Sequence, residues 1–219
     1  MSTNTWPRLK RCLDARYPRD MPGHLRPGAS KEAIAAAEAA MGVRFPADLR
    51  RAYEHFDGVA VDAFRDVGHR IPNLILPYFD WIPLQQVVAA WQLHRRVEPS
   101  EDTKRSSGWP VVTPDTVVRD SLNLDRKWIP IGESMMLPFA AIDLHPGPAG
   151  KRGQLIRVVY DGGISEVLAP SLSAYMDRFL DALESGQIVD DQGDWVAAGT
   201  GKSVFSLDAL SIRPPAASV

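Results

Sequence analysis

The sequence predicts an α+β domain: a central, mainly antiparallel sheet flanked by N-terminal helices and a C-terminal helix. Three observations lead there. The stretch from Gly28 to Gly58 carries start and stop signals for two short helices, with apolar residues at helical spacing between them. Short β-rich pieces between positions 109 and 168 are separated by Pro, Gly, Asn and Asp, without room for the helix that each parallel crossover needs. Helical periodicity returns after Ser171. Helices and strands segregated along the chain are the α+β pattern.

Taken in order, Trp6, Leu9 and Leu13 recur at three and four residues and predict a helix over 6–16, with Thr5 as its cap and Pro7 in its first turn. The link 17–29 holds Pro18, Pro22, Pro27, Gly23 and Gly28, an irregular connection. Ser30 is a good N-cap, Glu32 meets the positive end of the helix dipole, and Gly42 supplies a left-handed stop. Pro46 opens the next helix, which buries Leu49, Ala52, Tyr53 and Phe56 and ends at Asp57-Gly58. From 59 to 83 the chain is aromatic and aliphatic but broken by Pro72, Pro77 and Pro83, which suits short edge strands or a wall-forming loop. A helix starts at Pro83 with Val87, Val88 and Trp91 on its apolar face and fades near Val97.

Residues 98–108, EPSEDTKRSSG, read as a polar surface loop. Strands are expected at 109–112, 116–119, 127–131, 140–144, 154–160 and 165–168, with a turn at Asp161-Gly162-Gly163. The last helix buries Leu172, Tyr175, Phe179, Leu180 and Leu183 and stops at Gly186. One domain over 1–186 is therefore expected, followed by a partly irregular C-terminal extension over 187–219. Trp195 and Phe205 are its candidate anchors, and its tip, IRPPAASV, is expected to fray.

Composition narrows the functional classes. A chain of 219 residues that is 45% apolar can bury a sizeable core. A net charge of -2 disfavours nucleic acid as a partner, which calls for a clustered basic face. The single cysteine, Cys12, excludes an internal disulfide and a cysteine zinc cage, and fits a reducing compartment. Neither a signal-peptide core nor a run of membrane-spanning length is present, so a cytoplasmic location is expected.

No catalytic constellation emerges, and neither a metal nor a cofactor is expected. Gly199-Thr200-Gly201-Lys202-Ser203 imitates the end of a phosphate loop, but Val196 stands where GxxxxGK[ST] requires its first glycine. The five histidines, His24, His55, His69, His94 and His145, are scattered without ligand spacing. Ser165 lacks the second glycine of a nucleophile elbow, and Ser106-Ser107 lacks a preceding strand. Glu38, Glu133 and Asp143 are the carboxylates best placed for acid or base work. The structural reading is stronger: Glu38 faces the GVRFP turn and can accept its amides, and Asp143 can fasten a strand end.

A family resemblance rests on the order of weak motifs. Ile34, Glu38, Gly42, Phe45-Pro46, Leu49 and Asp57-Gly58 form the first half. Trp128-Ile129-Pro130, Ile142-Asp143-Leu144, Pro146, Gly150, Gly153-Gln154 and the closing helix with Phe179 and Leu180 form the second. Together they resemble SUKH superfamily domains over about residues 5 to 186, and are most similar to the branch of the yeast cell-wall synthesis and assembly regulators and their bacterial relatives. Two stretches depart from that pattern: SMMLPF, 134–139, replaces a Gly/Asn-rich turn, and the tail after Gly186 has no counterpart.

The resemblance implies binding rather than chemistry. One implied role is an immunity-type protein that neutralises a cognate toxin by occlusion; the other is a regulator or scaffold in cell-wall assembly or signalling. Asp57, Asp62, Asp66, Asp80 and Trp81 are the candidate partner-binding residues, aromatic anchors ringed by acids being effective at interfaces. An enzyme reading would need a deep pocket gathering Glu133, Asp143 or a histidine.

Overall fold

The structure, a computed structural model, describes residues 4–19, 24–59, 79–94, 116–119, 127–133, 138–159, 164–202 and 204. The expected pieces at 98–108 and 109–112, and Phe205 with the tip beyond it, lie outside the described residues. Among the described residues five helices and two antiparallel sheets confirm the α+β class.

Helix α1, Thr5–Arg16, buries Trp6, Leu9, Cys12 and Leu13. Its cap position is Asn4, without a side-chain cap bond; Thr5 lies inside the helix, and its hydroxyl donates to Asp177 Oδ1 at 2.7 Å. Helix α2, Lys31–Met41, begins as the sequence dictates: Ser30 Oγ accepts from Ala33 N at 3.1 Å. It ends at Gly42 with φ 67°, a conformation that costs glycine nothing. Helix α3, Ala47–His55, follows Pro46 and buries Leu49, Ala52 and Tyr53, the stripe expected from spacing. Strand β1, Asp80–Trp81, is the short edge piece expected between Val59 and Pro83. Helix α4, Leu84–His94, buries Val87 and Trp91 against the core.

Strands β2 (Trp128–Glu133), β3 (Pro138–Asp143), β4 (Gln154–Val159) and β5 (Ile164–Ala169) complete a five-stranded sheet in the order β1-β2-β3-β4-β5. All neighbours are antiparallel, as short connections require. Pro130 cannot donate to a ladder, and the register of β2 shifts between Pro130 and Gly132. Alternation then sorts the sheet into two faces. Ile129, Ile131, Ala140, Ile142, Leu155 and Leu168 join the helices in the main core. Trp128, Phe139, Ala141, Ile156 and Val158 form a smaller cluster with Val118 on the other side.

The strand expected at 116–119 is a turn. Its carbonyls are taken by loop donors instead of a ladder: Gly147 N donates to Val117 O at 3.1 Å, and Ala149 N to Thr116 O at 2.8 Å. Helix α5, Leu172–Glu184, is capped by Ser171, whose Oγ accepts from Ala174 N at 3.1 Å, and it buries all five expected residues. Beyond it the chain forms a second sheet that the sequence reading did not anticipate, the hairpin of β6 (Ile188–Asp191) and β7 (Asp194–Ala197). Trp195 anchors it edge-on to Phe179, with ring centroids 5.3 Å apart.

Candidate interaction surface

The acids that chemistry would need are committed to structure. Glu38 is 7% exposed; its Oε1 accepts from Phe45 N at 2.7 Å and from Arg50 Nε at 3.0 Å, and Arg50 Nη2 pairs with Oε2. The expected bond to the α2–α3 turn is present, and Arg50 is a partner that sequence spacing concealed. Asp143 closes the other end of the fold. Its Oδ1 accepts from His145 N at 2.8 Å, and its Oδ2 from the Gln154 amide at 2.9 Å. The same Gln154 Nε2 reaches Val117 O at 3.1 Å, while Gln154 Oε1 accepts from Lys151 N. Family-signature Gln154 thus ties β3, β4 and the 116–119 turn together.

Asp48, which the sequence reading passed over, is also buried. It accepts from Leu49 N at 2.9 Å and from Ser173 N at 3.3 Å, so one carboxylate joins the starts of α3 and α5. Glu133 differs: it is the exposed end of β2, opposite Asp80 in the β1–β2 register, and desolvation by its neighbours pushes its carboxyl above the usual range. Asp80 is 6% exposed.

The remaining candidates do not converge. His24 Nδ1 donates to Leu25 O at 3.3 Å, and its Nε2 is buried without a partner. His55 is exposed, and His69 lies outside the described residues. Among the described residues no group of three or more His, Cys, Asp or Glu is arranged to hold a metal ion. The stretch from Gly199 follows a strand, and Thr200 and Gly201 turn back onto Ala197 O. No helix among the described residues is long and apolar enough to cross a membrane.

The five candidate partner-binding residues divide by position. Asp57 is half-buried, and its Oδ1 accepts from Leu84 N at 2.8 Å, capping α4. Beside it Gly58 has φ 81°, and a Cβ there would lie 2.5 Å from Pro83 N, so both conformation and crowding require glycine. Trp81 is 1% exposed; it stacks on Tyr53 with centroids 4.6 Å apart and donates to Phe56 O at 3.1 Å. Asp62 and Asp66 lie outside the described residues. Among the others only Asp57 offers appreciable surface.

A helical hairpin with its turn held by an internal carboxylate, an antiparallel sheet and a closing helix define the SUKH type of α+β domain. Residues 28–178 match the profile of the SMI1 / KNR4 family (SUKH-1), and the chain belongs to that family. The matched range runs from just before α2 into α5, leaving α1 and the β6–β7 hairpin outside it. A protein named KNR4/SMI1 homolog 2, from Debaryomyces hansenii, is 39% identical over 69 residues, 32% of this chain and 12% of that protein. The match therefore spans a small part of that relative. Family membership supports a protein-interaction domain.

Proposed function

We propose that this protein works by binding another protein, as an immunity-type domain that neutralises a cognate bacterial toxin by occluding it in the cytoplasm. The observation that carries this reading is the family match over 28–178, joined to the internal commitment of Glu38, Asp48 and Asp143. Occlusion needs only a shaped exterior on a rigid support, and a domain whose polar groups are spent internally supplies that support. The contact candidates are Asp57 and, from the stretch between Val59 and Phe79, Asp62 and Asp66. Asp80 and Trp81, being buried, contribute by fixing the strand that carries this side. Acids at a rim tune encounter rate and partner choice.

A regulatory or scaffold role in cell-wall assembly or signalling is the second reading, favoured by the partial match to the Debaryomyces hansenii homolog. Co-expression with the product of an adjacent toxin gene separates the two. Rescue of growth, with a co-purifying complex that Asp62→Lys/Asp66→Lys disrupts, supports immunity. Failure of both rescue and complex with every neighbouring toxin overturns it.

A further inference from the structure

The distribution of exposed cations carries an inference about a second surface. A Cβ built on Gly153 would lie 3.5 Å from Pro46 Cγ, so the β3–β4 turn rests against the α2–α3 turn. Arg44 lies on one of these adjoining turns and Lys151 and Arg152 on the other, and all three are exposed. Arg119 flanks them, its Nη2 donating to Pro146 O at 3.4 Å. Among the described residues none of these cations is ion-paired. The acids nearest these turns are bonded internally: Glu38 and Asp48 within the helical hairpin, and Asp143 to His145 and Gln154.

An ordinary soluble surface intersperses both signs. Here Glu38, Asp48 and Asp143 are buried, while the three cations of the two turns stand in water. The β2–β3 register sets this end, Trp128 opposite Asp143, about 17 Å along the strands from the Asp80–Glu133 pair. Both turns are held by backbone bonds, Val43 N to Glu38 O at 3.1 Å and Gly153 N to Asp143 O at 2.7 Å, so the cations stand on ordered backbone. Ordered cations lose less entropy on pairing than mobile ones.

We propose that the surface of Arg44, Lys151 and Arg152 is a docking site for an acidic protein segment, separate from the side that carries Asp57. Protein is favoured over nucleic acid because the three cations lie on two adjoining turns of a chain of net charge -2, whereas a phosphate backbone calls for a basic face on a basic domain.

The test is fluorescence anisotropy of a labelled oligoglutamate peptide titrated with the full chain, with a short DNA duplex as the competing probe. Arg44→Glu/Lys151→Glu/Arg152→Glu is compared with a control, Arg11→Glu/Arg26→Glu/Lys202→Glu, made of exposed cations elsewhere. Peptide affinity is expected to fall about tenfold or more in the first variant, to hold in the control, and to weaken with added salt. Equal loss in both variants, no loss in the first, no peptide binding by the native chain, or tighter binding of the duplex each overturns the proposal. Should charge reversal perturb folding, judged by circular dichroism, the Gln-substituted triple replaces it under the same criteria.

Discussion

Glu38 has given up most of its water, and a carboxylate in that position is tolerable only where donors replace hydration. The Phe45 amide and the Arg50 guanidinium do so, and they also fix the angle between α2 and α3. Arg50 keeps 39% of its side chain in solvent and can rehydrate if its partner is lost, which limits the damage. Glu38→Ala is therefore expected to lower unfolding free energy by about 2–3 kcal/mol, read as a shifted urea midpoint at constant slope. A shift under about 0.5 kcal/mol would mean the pair is ornamental. Glu133 is the opposite case: desolvation raises its folded pKa above the unfolded value, so its charged form opposes folding. That penalty is absent below the unfolded pKa near 4.5 and grows as pH rises through the folded value. Glu133→Gln should accordingly stabilise the protein at neutral pH, with the gain vanishing near pH 4.

At the scale of elements, α1 is held to α5 by apolar burial and by a polar row along its edge. Thr5 donates to Asp177, Arg8 to Asp181 and Glu184, and Tyr17 to Asp190 at the hairpin. The Arg8 guanidinium is the main reason that Glu184 titrates at about 2. A depressed carboxylate stabilises the fold above its unfolded pKa of 4.5 and loses that contribution as pH falls toward 2. Both partners are partly solvated, so salt screens the effect. Thermal melts of Arg8→Leu should thus show a flatter acid limb than the native chain between pH 4.5 and 2, and the difference should shrink at high salt.

The hairpin carries its own cost: Gln192 sits at φ 53°, a region where a side chain strains the backbone. Gln192→Gly is expected to stabilise by about 1 kcal/mol. This hairpin was illegible in the sequence because its strands are four residues each, and its turn puts Gln where Asn or Gly would announce it. The helices were legible because Ser30, Gly42 and Ser171 mark their ends and their apolar stripes are long enough to count. Arg50 and Asp48 were missed for another reason. Their partners lie 12 and 125 positions away, and no local period encodes such contacts.

For the whole molecule, the family range and the folded range differ in an informative way. The match stops within α5, yet α1 and the β6–β7 hairpin, both outside it, meet on that helix. Ile188 and Trp195 are buried in the same core as Phe179 and Leu183, and Gln187 N and Ala198 N complete backbone bonds that join the hairpin to the end of α5. The sequence reading set a boundary at Gly186 because helical periodicity ends there. Packing places apolar contact directly across that boundary, and cooperativity follows packing. A chain ending at Gly186 loses Trp195 from Phe179 and Asp190 from Tyr17, and leaves the α5 face open to water. Loss of a buried Trp alone costs about 3–5 kcal/mol, a large fraction of the stability of a domain this size. The full chain is therefore expected to melt in one transition by calorimetry, and the shortened chain to melt well below it with exposed apolar surface detected by dye binding. Two separate transitions in the full chain, or an unchanged melting temperature on truncation, would show that the extension is an independent appendage.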